Sequence, residues 1–239
     1  MCGRIVQATP PDEVARAMDA VLEPALGPGT GWRPRWNLPP SEFALIVSPE
    51  GNLRRLERAV WGLPGGPQGR PLFNARAETV DRLPSFREAF RTARVLVPVD
   101  GFYEWENPEH LAAGGLSTAP AGRRQPWAFL PADGPCFALL GISVPSVTPD
   151  GEPIRAFSLI TTEANAVVGA IHDRMPAMAF GDGLSRWLDP DTPREELFPM
   201  LGPAPDAALL ARRVSTVVSN ARNEGPELLD EVAAEPRLF

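Results

Sequence analysis

The alternation of apolar and polar positions divides this chain into many short strands and a few helices. Patterns of strand length and composition occupy residues 43–47, 53–60, 95–99, 102–106, 127–130, 136–144, 157–162 and 213–218. The Ser-Pro-Glu-Gly-Asn sequence at 48–52 predicts a hairpin turn between the first two strands. Because strands and helices do not alternate regularly, the pattern predicts an α+β fold. We expect a largely antiparallel sheet or barrel core with flanking helices.

Helical signals are fewer and shorter than the strand signals. A helix is predicted to begin at Thr9-Pro10-Pro11-Asp12, with Thr9 as its N-cap, and its apolar spacing continues to Leu22. A second helix is predicted from Pro84 to Ala93, and residues 161–165 can cap another. The Trp-Asn-Leu-Pro-Pro-Ser stretch at 36–41 predicts a rigid extended loop between these elements.

Length and composition restrict the class of protein. A chain of 239 residues with 44% hydrophobic content can bury one good-sized core, so we expect a single domain over residues 2–239. Residues 107–125 lack any period and predict a mobile loop within it. The sequence contains neither a bilayer-length apolar run nor a signal-peptide pattern, which predicts a cytoplasmic protein that does not bind membranes. Its two cysteines are too widely spaced for a zinc knuckle, and we expect no metal or cofactor.

The charge balance argues against a broadly basic nucleic-acid-binding surface. The formal net charge is −7, so any binding to nucleic acid would have to use a local cluster of arginines. All 23 basic residues are arginine, because the chain contains no lysine. Guanidinium groups stay protonated near neutral pH, so the α-amino group is the only amine that can form an imine there.

The amino terminus carries the most distinctive candidate chemistry. Cysteine at position 2 is small enough to allow removal of Met1, which would place a free amine and a thiol on neighbouring carbons. The two groups have reference pKa values of about 8 and about 8.5. Together they can condense with an aldehyde into a five-membered thiazolidine, which resists hydrolysis better than an imine does.

Other candidate residues are ambiguous when taken singly. Glu104 lies between aromatic residues, where a lone glutamate is more often a hydrogen-bonded structural carboxylate than a catalytic one, and His172 could belong to a polar turn with its neighbours Asp173 and Arg174. Cys136 has the pattern of a core residue, and we expect His110 to be exposed to solvent. The sequence contains neither a nucleophile-elbow motif nor a phosphate-binding loop.

Seven motifs in a fixed order remove much of this ambiguity. They are MCGR at 1–4, RWNLPPSE at 35–42, WGLP at 61–64, FNARAET at 73–79, VPVDGFYEW at 97–105, LITTEAN at 159–165 and IHDRMP at 171–176. In this order they resemble the SRAP (SOS response-associated peptidase) family of abasic-site processing proteins. The resemblance covers nearly the whole chain, and it implies a β-rich α+β domain with a charged groove.

The resemblance also implies a reaction and four catalytic residues. Family members bind abasic sites in single-stranded DNA, whose ring-opened deoxyribose exposes an aldehyde. Cys2 would close a thiazolidine on that aldehyde and form a stable DNA–protein cross-link, with slow self-reversal and autoproteolytic removal of Met1. Asn74 would hold the terminal amine and the sugar, and Glu104 would orient or deprotonate the amine. His172 would act as acid and base on the deoxyribose oxygen.

The same resemblance implies how the DNA is held. Implied DNA contacts come from Arg4, Asn37, Pro40, Trp61, Arg76, Trp105, Thr162 and Arg174. The arginines would clamp phosphates, the two tryptophans would stack, and the remaining residues would line the strand. The expected partner is single-stranded DNA containing abasic sites. The protein would be a monomer, associated with the nucleoid when bound.

Two other functions remain open on the sequence. Cys2 could be the nucleophile of a peptidase or amidohydrolase that does not act on DNA. Alternatively, the chain could be a non-catalytic module that binds single-stranded DNA.

Overall fold

The structure, a computed structural model, describes residues 2–27, 29, 31–107, 124–148 and 150–233. Its strands are β1 (Ile5–Gln7), β2 (Val21–Leu22), β3 (Arg35–Leu38), β4 (Phe43–Glu50), β5 (Leu53–Trp61), β6 (Asn74–Arg76), β7 (Arg94–Val99), β8 (Gly101–Trp105), β9 (Pro126–Pro131), β10 (Phe137–Val147), β11 (Pro153–Glu163), β12 (Arg174–Pro176), β13 (Met178–Ala179) and β14 (Leu209–Arg213). The helices among these residues are α1 (Pro11–Ala17), α2 (Arg87–Thr92), α3 (Ala166–Gly169), α4 (Gly183–Leu188) and α5 (Arg194–Met200).

A closed ring of strands forms the centre of the molecule. Strands β5, β4, β7, β10 and β11 pair antiparallel in that order. Strand β11 then pairs in parallel with β5, with Arg155–Phe157 beside Ala59–Trp61, and this pairing closes the barrel. Closure satisfies the backbone groups that an open sheet would expose at its edges. The predicted α+β fold with a largely antiparallel barrel core is therefore confirmed.

A second, five-stranded sheet brings the amino terminus to the site. Its strand order is β14-β9-β8-β1-β3, so the short β1 lies between β8 and β3. Ile5 is paired with Phe102 on one side and with Leu38 on the other. The Tyr103 backbone N–H also donates to the Arg4 carbonyl at 3.0 Å. Residues 2–4 are consequently fixed beside the part of β8 that carries Glu104.

Alternate residues of the barrel strands contribute to two hydrophobic clusters. On β7, Val95 and Val97 belong to the cluster that includes Cys2 and Phe102 of the second sheet. Leu96 instead joins the cluster that includes Trp187 and other helical residues. This period of two follows from strand geometry, in which successive side chains point to opposite faces. The barrel is thus packed between the second sheet and the helices.

Helix α1 is shorter than the sequence pattern predicts, and the N-cap prediction at Thr9 was wrong. The Thr9 hydroxyl donates to Asp100, and Pro10 occupies the N-cap position without a side-chain cap. The helix ends at Ala17, and Asp19 adopts a positive φ of 49° that takes the chain out of the helix. The apolar pair Val21–Leu22 then forms β2 beside Arg55 and Leu56. Its apolar character therefore reflects strand pairing, not continuation of the helix.

Several other boundaries also differ from the predictions. The loop predicted at 36–41 is partly strand, because Arg35–Leu38 forms β3. The strand predicted at 213–218 was wrong, since β14 ends at Arg213 and Thr216–Ser219 is a 3-10 turn. The domain boundary of 2–239 stays a prediction. Residues 108–123 of the loop predicted at 107–125, which include His110, lie outside the described residues.

Trp61 connects the barrel to β6, and it should contribute strongly to stability. It is 0% exposed, stacks on Phe157 with ring centroids 6.2 Å apart, and donates its Nε1–H to the Phe73 carbonyl at 2.9 Å. We expect Trp61→Ala to lower the free energy of unfolding by about 3–5 kcal/mol, because it leaves a large cavity. Urea denaturation measures this change. Leu53→Ala, at a side chain that is 59% exposed, is the control and should change stability by less than about 0.5 kcal/mol.

Candidate active site at the amino terminus

Cys2 lies at the bottom of the candidate site. It is fully buried and belongs to the same hydrophobic cluster as Ile5 and Leu38. Burial, followed by the negative charge of Glu104, raises the pKa of the Cys2 thiol well above its ordinary value. The thiol is therefore protonated at neutral pH. Any reaction of its sulfur needs a neighbouring group to accept that proton.

Asn74 contacts Cys2 directly. Strand β6 is held parallel to β11, with Asn74 beside Leu159, and the Asn74 Nδ2 donates to the Cys2 carbonyl oxygen at 2.9 Å. Among the described residues, the buried Asn74 Oδ1 has no hydrogen-bond partner. Buried polar atoms are nearly always satisfied, so an open acceptor here is a place where a ligand or an amine can donate.

Glu104 supplies a buried carboxyl group with an unusual proton affinity. It lies on β8 opposite Trp127 and is 3% exposed. Burial is the largest cause that raises its pKa from an ordinary 4.5 to about 7. At neutral pH the carboxyl group can therefore both accept and donate a proton, which suits general acid–base catalysis.

His172 faces Glu104 across the site. Its Nε2 lies 3.9 Å from Glu104 Oε2, and the Arg174 backbone N–H donates to its Nδ1 at 3.0 Å. Asp173 Oδ1 also lies 3.0 Å from Nδ1, but this side chain is 62% exposed and can bond only to a protonated Nδ1. The backbone donor is fixed, so it defines the neutral tautomer, which carries its proton on Nε2 towards Glu104. Burial lowers the His172 pKa and favours this neutral form.

Arg4 forms one wall beside these groups. Its guanidinium lies 5.6 Å from the centre of the Trp105 ring, and its Nη1 donates to Asn37 Oδ1 at 2.6 Å and to the Val218 carbonyl at 3.1 Å. The Trp105 indole N–H donates to Ser219 Oγ at 3.0 Å. A cleft of about 440 Å³ opens beside Trp105, and its other lining residues are Arg124, Thr216, Val217, Ser219, Asn220 and Asn223.

A family model for the SOS response associated peptidase (SRAP) matches residues 1–221. The chain belongs to the SRAP family. The abasic site processing protein YoqW of Bacillus subtilis is 30% identical over 96% of this chain and 99% of its own. The abasic site processing protein YedK of Escherichia coli is 25% identical over 97% of this chain and 100% of its own. The predicted family membership is thus confirmed.

Solved structures of similar fold support the architecture of this SRAP chain. A crystal structure of a Bacteroides thetaiotaomicron protein matches with a TM-score of 0.79 at 20% identity, covering 97% of this chain and 100% of that one. A phage-related protein from Bordetella bronchiseptica matches with a TM-score of 0.66 at 26% identity, covering 90% of this chain and 95% of that one.

The residues predicted to contact DNA in this SRAP chain differ in how accessible they are to a ligand. Arg76 is exposed at the end of β6, while Pro40 and Trp105 are partly exposed, so all three can be reached by a ligand. Thr162 is only 5% exposed. Arg174 is paired with Glu78 through two contacts, and its Nη2 also donates to the Thr161 carbonyl at 2.6 Å.

Two of these predictions were wrong. Trp61 is 0% exposed in the core, so its ring offers no face to a base. Asn37 is also 0% exposed, and its side chain bonds within the protein, so it cannot line the strand. Both lie in motifs that resemble the family pattern, but motif position cannot distinguish a residue that contacts a ligand from one that supports such a residue.

Sequence reasoning missed two parts of the site. Glu78 lies inside the quoted FNARAET motif, but nothing local indicated that it would meet Arg174, which is 96 residues away in the chain. The sequence pattern predicts a strand at 213–218 and assigns no role to the residues after it, yet carbonyl groups of residues 218–223 surround Asn37. The clustered asparagines at 220–223 were the available signal.

The raised pKa of Glu104 predicts a dependence of stability on pH. The folded state holds this proton where the unfolded chain has lost it, so the free energy of unfolding should fall as pH rises from about 4.5 through about 7. A shift of this size corresponds to about 3 kcal/mol. Glu104→Gln should remove this loss, which urea titrations at several pH values would measure.

Glu88→Gln is the matched control for this measurement, because that carboxylate is exposed and pairs with Arg91 in its own helix. It should retain the pH dependence of the unsubstituted protein. If Glu104→Gln and Glu88→Gln show the same pH profile, Glu104 is not the group responsible.

Proposed function

We propose that this protein senses abasic sites in single-stranded DNA and traps them as a covalent thiazolidine on Cys2. The observation that carries the proposal is the grouping of Cys2 with Asn74, Glu104 and His172 at the amino end of the chain. The names of the relatives, abasic site processing proteins, support a substrate of this kind. The reaction needs the α-amine of Cys2 to be free, and therefore needs removal of Met1.

The reaction balances in two steps. The Cys2 amine adds to the C1′ aldehyde and, with loss of water, gives an imine. The thiol then adds to the imine carbon: the S–H bond and the C=N π bond break, the C–S bond forms, and the proton that leaves sulfur is passed within the site to the nitrogen of the new ring. Because burial keeps the Cys2 thiol protonated, a base is required, and the Glu104 carboxyl group with a pKa of about 7 is suited to accept this proton.

His172 and Asn74 have complementary roles in the proposal. The closed deoxyribose must open before its aldehyde can react, and opening needs proton transfer at the ring oxygen. The neutral His172 tautomer carries a proton on Nε2, on the side that faces Glu104 and the reacting groups. The open Asn74 Oδ1 would accept a hydrogen bond from the Cys2 amine or from a sugar hydroxyl.

Arginines and an aromatic cleft would hold the strand. Arg4 and the exposed Arg76 would contact phosphates, and the cleft beside Trp105 would accept a neighbouring base. Arg174 could join them only by releasing Glu78. Pro40 and Thr162 would line the path of the DNA strand. We expect the protein to act as a monomer in the cytoplasm, at the nucleoid when bound to DNA.

Mutation of the nucleophile tests the proposal most directly. Cys2→Ala should form no heat-stable adduct with a single-stranded oligonucleotide that contains one abasic site. Cys2→Ser should form an imine that borohydride can trap, since it keeps the amine and lacks the thiol. Intact mass spectrometry measures adduct formation and also reports whether Met1 is present. The partly buried Cys136 provides the matched control, and Cys136→Ala should cross-link like the unsubstituted protein.

Two results would contradict the proposal. A heat-stable adduct formed by Cys2→Ala would exclude the aminothiol mechanism. Cleavage of a peptide panel by the intact protein, without any DNA adduct, would instead favour a peptidase that uses Cys2 as nucleophile.

His172 should accelerate the reaction without being essential to it. A positioned acid–base group contributes roughly 10²–10⁴-fold, and formation and reversal share the transition states that need this proton transfer. We expect His172→Ala to form the adduct more slowly and also to release it more slowly. Time courses on abasic oligonucleotide, followed by a chase with excess competitor, measure both rates. Asp173→Ala should change them less, and unchanged rates in His172→Ala would make this histidine structural.

A further inference from the structure

We infer that Asn37 is a positioning residue for Arg4: its buried carboxamide holds the guanidinium in a neutral cradle, so that the full positive charge remains available for a phosphate. The inference rests on the proposed function, because a DNA phosphate is the ligand that it assigns to Arg4. It replaces the direct DNA contact that the sequence predicts for Asn37.

The orientation of the Asn37 amide is fixed by its surroundings. Its Nδ2 lies 3.0 Å from each of three carbonyl oxygens, those of Val218, Asn220 and Asn223. Carbonyl oxygens only accept hydrogen bonds, so the NH₂ group must face them. The opposite atom, Oδ1, therefore faces Arg4 and accepts from its Nη1 at 2.6 Å.

The residues that contact the Arg4 guanidinium in the described part of the chain are uncharged. Besides Asn37, its guanidinium meets the Val218 carbonyl and the Trp105 ring, and within the described part of the chain it forms no ion pair. Glu224 acts on it only through space, because that carboxylate is bonded to Arg35 and to the backbone N–H groups of β3. The charge of Arg4 is thus held in place without being neutralised.

Other arginines near the site show the contrast. Arg174 is held by Glu78, and Arg35 is held by Glu224 at 2.9 Å, so a phosphate would have to displace a carboxylate from each. In a protein of net charge −7, an arginine held by neutral acceptors is better suited to bind an anion. An aspartate at position 37 would keep the acceptor oxygen but would neutralise Arg4.

The same amide also holds the wall of the cleft. By bonding to three carbonyls of the 218–223 segment, Asn37 fixes the turn whose Ser219 accepts from Trp105. Arg4 and Trp105 are consequently oriented by one buried group. Fixing them before binding avoids the conformational-entropy cost of ordering a flexible arginine when the phosphate binds.

The test measures non-covalent binding as a function of salt. The probe is a single-stranded oligonucleotide with one tetrahydrofuran abasic analogue, which has no latent aldehyde and cannot form the cross-link. Each phosphate contact on a single strand contributes about 0.7 to the slope of log K against log salt. We expect Arg4→Gln to lower the slope by about 0.7, and Asn37→Ala to lower it by a similar amount. The double variant should bind no more weakly than Arg4→Gln alone.

Two further variants separate positioning from a general structural role. Gln7→Ala removes another buried amide of the same sheet, which bonds to Leu45 and Pro98, and it should keep the full slope. Asn37→Asp should lower the slope of log K against log salt as much as Arg4→Gln does, because the new carboxylate compensates the charge of Arg4. If Asn37→Ala does not fold, Asn37→Ser takes its place. The serine hydroxyl can donate to one of the three carbonyl oxygens, but the side chain is too short to reach Arg4.

The outcomes distinguish the two proposals. If the unsubstituted protein does not bind the probe, the proposed function fails, and this inference fails with it. If it binds, but Asn37→Ala or Asn37→Ser keeps the full slope, or weakens binding additively with Arg4→Gln, then Asn37 is only structural. If Asn37→Asp retains the full slope, the charge of Arg4 does not need a neutral cradle.

Discussion

The exclusion of water from Cys2 and Glu104 is the constraint on which the candidate site depends. Pairing of β1 between β8 and β3 places Cys2 in the hydrophobic core, beside a glutamate that is 3% exposed. Removing both groups from water disfavours their charged forms, so the thiol and the carboxyl group keep their protons to higher pH. The same burial lowers the His172 pKa. The side chains of Cys2, Glu104 and His172 therefore have pKa values that differ from those they have in water.

Burying the Glu104 carboxyl group costs folding free energy, and the barrel provides the stability that offsets this cost. A carboxyl group with a raised pKa is destabilising whenever it is ionised, so the surrounding elements must be firmly held. The closed ring of β5, β4, β7, β10 and β11 provides that support, and β6 carries Asn74 into contact with Cys2 through its pairing with β11. Perturbed pKa values are common among the residues of catalytic sites.

The arginines around the site differ in whether a carboxylate compensates their charge. Two arginines near it are paired with carboxylates, Arg174 with Glu78 and Arg35 with Glu224. Arg4 instead meets an amide, a carbonyl and an aromatic ring. An acidic protein can in this way present positive charge at one place without a basic surface. Such a local charge suits the site-limited DNA binding that we propose for this protein.

The sequence by itself determined the secondary-structure elements that depend on local patterns of residues. It also determined which residue types are present for the candidate reaction. The strand patterns at 43–47, 53–60 and 95–99 reappear as β4, β5 and β7, because the alternation of side chains along a strand is a local property. The motif order also led to the SRAP family. Only the tertiary structure decided which of those residues face the site. Trp61 and Asn37 are buried by partners such as Phe157 and the 218–223 turn, up to 186 residues away in the chain. Burial and long-range pairing are sums over the whole fold, so no local pattern contains them.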